Sequence, residues 1–468
     1  MYSNKPKCIT IANNIRVNVP ESLRFMTTFV LHEQNDWFED EIKFVRHFAR
    51  PGMKAVDIGA NYGLYTLSLA KIIGNTGRVW AFEPTAFTST CLNKSLLDNK
   101  LNNVKLIQAG LSNRLGKAKL FTSPNSELNS LSSEATSDDR YELISLLTLD
   151  HCKQKYGWDH IDFIKLDAEG EECNILKKGK KMLSSLSPLI MYELKHGENI
   201  NLPLVTRFIN MGYNNYRLVP GLNTLIPFDH NKAFDGYLLN LFCCKSDKSK
   251  QLESNGFLVR DWDKGDINDA PLAEKYIADS GFGKSIKQYI TLTNRTGSDE
   301  YLAILNLYIM AISGSGSRSE NVGYLMSSLS KLRIMLEKGE HHIERLVTFS
   351  RIAFDAGERA LGVKILSDLV NRYAERLDFE VNELFLPASR RYESITPDSR
   401  VNAWLFSSIL EQLIKKRGFS CYFTRDKSLP LFEQLNKLGF SGADMQKRYQ
   451  LVKACYSSKA RTNPSTSA

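Results

Sequence analysis

The chain has 468 residues, 43% hydrophobic, 10% aromatic and 24% charged, a globular composition that supplies a core and excludes wholesale disorder. At about 150 residues per domain, that length predicts two or three domains and excludes a single small module. Lysine and arginine outnumber the acids 61 to 52, a net charge of +9 spread over both halves rather than gathered in a block, which argues against a nucleic-acid partner.

In chain order, residues 1–37 read as a lead-in. ITIANNIRVNVP alternates as two short strands about an Asn-Asn turn. DWFEDEIKFVRHFARPG follows, with Phe38, Ile42, Val45 and Phe48 at helical spacing, Asp36 as the expected N-cap and Pro51-Gly52 as the stop. From Lys54 to about Cys244, short apolar runs alternate with helical patterns. KAVDIG, RVWAFEP, VKLIQAG, IDFIKLDAEG and LIMYEL read as buried parallel strands because they are nearly continuous in apolar residues. A final strand pair is expected around NTLIPF and GYLLNLFCC, and LYTLSLAKIIG, TSTCLNKSLLDNK and EECNILKKGKKMLSS read as the intervening helices. The fold class is therefore α/β, doubly wound.

The polar stretch KSDKSKQLESN is expected to be the domain boundary, giving an α/β domain over 38–245. Beyond it, over 256–455, helix-period segments joined by Gly, Ser or Pro loops predict an all-α domain, with no fixed internal period. The tail 456–468 is small and polar and reads as disordered. The eight cysteines show no C-x-x-C spacing, which argues against zinc or a disulfide framework. No run approaches the roughly 18 apolar residues that span a bilayer, so the expected state is soluble and cytoplasmic.

Chemistry concentrates at the C-terminal ends of the predicted strands. In VDIGANYG a strand carrying Asp57 runs into Gly59, Asn61 and Gly63 and then into a helix, whose first-turn N–H groups face back toward the strand end. Glu83 ends the second strand, where a carboxylate can accept both hydroxyls of a ribose. A dinucleotide pyrophosphate calls for three glycines and no anion, whereas Asp57 would repel it. S-adenosylmethionine (SAM), with an ammonium and a sulfonium, fits an acid at that place.

The ordered set VDIGANYGLYT, AFEP, SLLTLDHC, IDFIKLDAEGEECNILKKG and LIMYEL resembles the FkbM family of SAM-dependent methyltransferases over residues 38–230. The resemblance implies the class I seven-stranded Rossmann-like sheet with a terminal antiparallel hairpin. It also implies methyl transfer to a hydroxyl of a sugar, glycan or glycosylated precursor. It assigns Asp57, Gly59, Asn61 and Gly63 to the first cofactor loop, Glu83 to the ribose, and Gln108 and Ala109 to the adenine side. Asp167 and Glu169 fall where class I enzymes present catalytic groups and would share one face if their strand continued. With His196 they are the expected proton acceptors or orienters, and Glu193 completes a polar ring.

No third acid suggests a metal beside Asp167 and Glu169, so none is expected. Lys177, Lys178, Lys180 and Lys181 read as a solvated helix face. Trp404, Phe406, Leu410 and Leu413 read as helical-domain core, and that domain is expected to shape acceptor binding or to support a homo-oligomer. The competing readings are an NAD-dependent oxidoreductase and a non-catalytic scaffold.

Overall fold

A computed structural model describes residues 6–121, 141–196, 199–263, 265, 271–287 and 296–460, with the side chains of His196, Asn199, Arg425 and 456–460 outside that description. Two compact units result. The first comprises the described residues of 6–218, 225–234 and 238–258, and the second comprises 219–224, 235–237 and the described residues from 259 onward.

The first unit opens with strands β1 (Pro6–Ile11) and β2 (Ile15–Pro20), paired antiparallel from Pro6↔Pro20 to Ile11↔Ile15. The turn holds Asn13 and Asn14 at φ 58 and 57, left-handed values that asparagine tolerates. Ile9, Ile11, Ile15, Val17 and Val19 enter the main core, while Asn18 hydrogen-bonds Ser95 and Asp98. The lead-in is thus built into the first unit. Helix α1 (Met26–Gln34), absent from the sequence expectation, precedes α2 (Asp40–Phe48). The expected cap on α2 is corrected: Glu39 is its N-cap residue, and Asp36 instead accepts Arg46 Nη1 at 2.6 Å and Nη2 at 2.8 Å.

There follow β3 (Lys54–Ile58), α3 (Leu64–Ile73), β4 (Arg78–Phe82), α4 (Ala86–Asp98) and β5 (Val104–Ile107). A small side sheet, also missed in the sequence, contains β6 (Gly110–Leu111), β7 (Gly116–Phe121) and β8 (Tyr141–Leu147). After α5 (Leu149–Tyr156) and β9 (Phe163–Leu166), the single helix expected over EECNILKKGKKMLSS is two, α6 (Glu172–Lys177) and α7 (Lys180–Leu186). They part at Gly179, where a Cβ would stand 2.8 Å from Leu149 Cδ1. The unit continues through β10 (Leu189–Glu193), β11 (Lys195–His196), β12 (Asn199–Ile200), α8 (Leu202–Asn210), β13 (Asn214–Val219), β14 (Thr224–Pro227) and β15 (Asn240–Cys244). Its last helix is α9 (Ser246–Ser254), so the stretch expected to be a linker is helical and lies in the first unit.

The main sheet has the order β14-β13-β15-β10-β9-β3-β4-β5. From β5 to β10 every pairing is parallel, and β15 is antiparallel to both β10 and β13. This is the class I methyltransferase arrangement with one extra edge strand. The terminal hairpin is corrected: its partner for NLFCC is NNYRLV, and TLIP forms the added edge. Side chains alternate between two cores. Ala55 and Phe163 face the layer containing residues of α2, α3 and α4, whereas Val56, Ile58, Ile164 and Leu166 face the layer of α5 to α8.

The second unit is helical: α10 (Leu272–Asp279), α11 (Gly283–Lys287), α12 (Ser298–Ser313), α13 (Arg318–Glu337), α14 (Ile343–Ala356), α15 (Arg359–Tyr373), α16 (Val401–Lys416), α17 (Cys421–Leu438) and α18 (Ala443–Ala460). From α12 onward each helix packs on the next. Ser317 and Glu320 form a capping box on α13, which satisfies N–H groups the first turn leaves open. Trp404, Phe406, Leu410 and Leu413 are all buried, and Trp404 stacks on Phe282 with ring centroids 5.1 Å apart. The last helix continues to Ala460, into the stretch expected to be disordered; 461–468 lie outside the described residues.

Candidate functional site

The site begins where β3 ends, in the middle of the parallel strands. Beyond Ile58 the chain turns through Gly59 at φ 75, Asn61 at φ 48 and Gly63 at φ 88. The N–H groups of Gly59 and Ala60 both reach the carbonyl of Phe82, at 3.1 and 2.9 Å. A Cβ on Gly59 would stand 1.7 Å from the Asp167 carbonyl oxygen, and one on Gly63 would stand 2.2 Å from Leu92 Cδ1. Both glycines therefore relieve contacts within the protein itself. They let the end of β9 and helix α4 press against the loop. Gly63 N-caps α3 without a side-chain cap, so the first turn of α3 keeps backbone donors at the sheet edge.

Asp57 is fully buried. Its Oδ2 accepts Thr66 Oγ1 at 2.6 Å, and its Oδ1 is buried with no hydrogen-bond partner among the described residues. Burial pushes its carboxyl pKa up, opposed by Lys165 and by the Thr66 hydrogen bond. An unpartnered carboxylate oxygen in such a place costs free energy unless a donor or cation meets it.

Glu83 is also buried. Its Oε2 accepts the Asn61 N–H and its Oε1 the Thr85 N–H, each at 2.9 Å. The acid thus ties the glycine loop to the start of α4. A carboxylate oxygen has two lone pairs, of which each of these amides takes one. Burial raises its pKa to about 7 against the pull of the Thr85 amide, the Thr85 side chain and the Asn61 amide. The Glu83 N–H bonds Ile107 O, so Gln108 and Ala109 lie one step beyond, Gln108 exposed and Ala109 buried.

The LDAEGEE segment departs from expectation. The strand stops at Leu166, and Glu169 at φ 49 and Gly170 at φ 93 turn the chain left-handed. Asp167 and Glu169 therefore do not share a strand face. Glu172 Oε1 accepts the N–H groups of Ala168 and Gly170, while Glu171 is the N-cap residue of α6 and takes Ser112 Oγ at 2.5 Å. These two acids hold the turn, and Asp167 and half-buried Glu169 remain the groups at the strand end. Glu193 ends β10 opposite Asn240. His196 pairs with Asn199 in a two-residue ladder, and its side chain lies outside the described residues. The four lysines on α6 and α7 are exposed, as a solvated face requires.

Three further groups were missed. Lys165 is paired with Asp57 across β9 and β3 and is buried; its Nζ donates to Asp167 Oδ2 at 2.7 Å and lies 5.3 Å from the Tyr65 ring centre. The neighbouring acids hold its ammonium firmly protonated despite burial, Asp167 foremost among them. Tyr65, in the first turn of α3, donates to Glu39 Oε2 at 2.5 Å, and burial raises the Glu39 pKa. A lone lysine within FIKL was a legible signal; Glu39, at a helix start, offered none. Among the described residues no cluster of three or more His, Cys, Asp or Glu is placed to hold a metal, and no helix is long and apolar enough to cross a membrane.

Residues 57–218 match the model of the methyltransferase FkbM domain. Over that span the chain is similar to FkbM methyltransferase domains. A curated relative, methyltransferase sdnD of Sordaria araneosa, is 31% identical over 152 residues, which cover 26% of this chain and 58% of the relative. The match thus spans little more than half of that relative's length. Among solved structures, a methyltransferase FkbM from Methylobacillus flagellatus is 20% identical, covering 41% of this chain and 43% of its own, with a TM-score of 0.29. A SAM-dependent O-methyltransferase from Thermotoga maritima is 14% identical over 51% of this chain and 77% of its own, with a TM-score of 0.25. The class I assignment of the FkbM-like domain rests on the strand order given above.

Proposed function

We propose that the FkbM-like domain is a SAM-dependent methyltransferase acting on a hydroxyl, with a sugar, glycan or glycosylated precursor as acceptor. The observation that carries the cofactor reading is Asp57: a buried carboxylate with one unpartnered oxygen, beside a glycine loop and a second buried acid, in a class I sheet. These residues fit SAM. Asp57 would meet the cationic amino-acid end, the Gly59–Gly63 loop and the first turn of α3 would lie along the ligand, Glu83 would take the ribose, and Gln108 and Ala109 would flank the adenine. A pyrophosphate would meet the same anionic Asp57 unfavourably, which disfavours the oxidoreductase reading.

Bound SAM supplies a methyl group on a positively charged sulfur. The chain's part is to place an acceptor hydroxyl in line with it and to remove the proton, since positioning supplies much of the rate and a neutral hydroxyl is a poor nucleophile. Asp167, held by Lys165 at the strand end, is the assigned proton acceptor; Glu169, on the turn behind it, and His196 are the alternatives. The acceptor class rests on the family resemblance alone.

Calorimetry with S-adenosylhomocysteine (SAH) tests the cofactor reading. Wild-type protein should bind, and Asp57→Ala or Glu83→Ala should weaken binding at least tenfold. No heat with wild type, or no effect of either substitution, would overturn it. For the acceptor, glycans incubated with SAM should gain one methyl by mass spectrometry, and Asp167→Asn should abolish that gain while leaving SAH affinity within about threefold.

A further inference from the structure

The ends of β3 and β9 gather several acids around one lysine. Parallel strands lie about 4.8 Å apart, so the registered pair Asp57 and Lys165 stand side by side on the sheet face toward α2 and α3. Lys165 also holds Asp167 at 2.7 Å, and Glu39 acts on its charge as well. One ammonium therefore serves three carboxylates, Asp57, Asp167 and Glu39. The next titratable groups outward, Glu83 beside Asp57 and Glu172 beside Asp167, are acids too and bring no cation. Arg46, on α2, is engaged by Asp36 and Ser68. Asp57 Oδ1 still lacks a partner among the described residues.

We infer that Lys165 determines how strongly this pocket discriminates a positively charged methyl donor from its uncharged product. The inference rests on the SAM reading above and extends it. SAM and SAH share the adenosine and the amino-acid ammonium and carboxylate; they differ by the methyl group and by the charge on sulfur. With three carboxylates to one ammonium, the cluster favours the sulfonium over the thioether. Release of the spent product is then driven by the loss of that charge, and Lys165 limits the bias by cancelling one carboxylate. Asp167, at the open end of the cluster, contributes to the same field while accepting the proton.

Four proteins test this by calorimetry with SAM and with SAH: wild type, Lys165→Met, Asp167→Asn and the double variant. The measured quantity is the ratio of the two dissociation constants, SAH over SAM, from which the shared contacts cancel. Moving one full charge at about 10 Å in an effective dielectric of about 20 changes a cation's affinity by roughly tenfold. The ratio should exceed one in wild type, rise roughly tenfold in Lys165→Met, fall roughly tenfold in Asp167→Asn and return to the wild-type value in the double variant, whose charge count is that of wild type. If Lys165→Met fails to fold with three acids left without their cation, Asp167→Asn and the double variant still decide. Equal ratios in all folded proteins, or a ratio below one in wild type, overturn the inference while leaving the cofactor reading intact. Failure of wild type to bind either ligand overturns both.

Discussion

Replacing Gly59 with alanine should separate two costs that this loop combines. The backbone there is left-handed at φ 75, and the new Cβ would lie 1.7 Å from the carbonyl oxygen and 2.9 Å from the carbonyl carbon of Asp167. Since ordinary contact begins at 3.4 Å, the end of β9 or the loop must retreat by more than an ångström. The left-handed backbone costs about 1 kcal/mol for a residue with a Cβ, and overpacking of a rigid contact adds about 1–3 kcal/mol, roughly 2–4 kcal/mol together. Gly157 supplies the control: it caps α5 in the same unit at φ 62 and ψ 41, and a Cβ there would meet nothing within 4 Å. Gly157→Ala should therefore cost only the backbone share, about 1 kcal/mol. Urea unfolding of both variants should show Gly59→Ala the less stable by at least about 1 kcal/mol, and calorimetry should show SAH affinity reduced at least tenfold in Gly59→Ala and retained in Gly157→Ala. Equal destabilisation by the two, or full SAH affinity in Gly59→Ala, would refute the claim that Gly59 is required for the loop to close on β9.

Glu83 makes a pH prediction: its pKa is raised from 4.5 to about 7 in the folded state, so the folded protein binds the extra proton and this side chain's contribution to stability falls as pH rises from 4.5 to 7. The window is worth up to about 3 kcal/mol, and the stability difference between wild type and Glu83→Gln should shift by that order between pH 4.5 and pH 7.5; parallel curves would contradict it. In the helical unit, Arg345 is fully buried and gives Nε and Nη2 to Glu383 at 2.8 and 2.5 Å while also pairing with Glu340. Arg345→Met should cost about 3–5 kcal/mol by stranding those acids, and adding Glu383→Gln should recover part of the loss in denaturation experiments. Trp404 is buried with its indole N–H unpartnered among the described residues. Trp404→Ala should therefore cost about 3–5 kcal/mol, whereas Trp404→Phe, which also removes that N–H, should cost under about 1.5 kcal/mol.

The legible parts of the fold were those with strong periodicity. Of the five parallel strands, β3, β4, β9 and β10 are buried on both faces and read as near-continuous apolar runs, edge strand β5 is half-buried, and α12 to α16 carry wide apolar stripes. NNYRLV escaped because its half-polar composition hides a strand with Tyr216 and Leu218 buried. SDKSKQLES escaped because a helix burying chiefly Ser249 and Leu252 leaves almost no apolar signature. At the site, Asp57, the glycine loop and Glu83 were legible from spacing, but their partners were not. That Gly59 yields to the Asp167 carbonyl, or that Glu83 grips the amides of Asn61 and Thr85, depends on contacts across the sheet. Asp167 and Glu169 part company because a left-handed residue ends the alternation of a strand, and a local pattern cannot reveal φ at a glutamate. Lys165 was visible as a charge in an apolar strand, yet its meaning came only from the register that sets it beside Asp57.

Asp57 and Glu83 are proposed to hold a SAM-type ligand together at the end of β3 and β4. A crystal structure of the chain grown with SAH tests it most directly. The expected result is ribose hydroxyls within hydrogen-bond distance of the Glu83 carboxylate and the ligand's amino-acid end at the Asp57 side of the Gly59–Gly63 loop. Ligand bound elsewhere, or a loop whose side chains fill that space at saturating SAH, would contradict it.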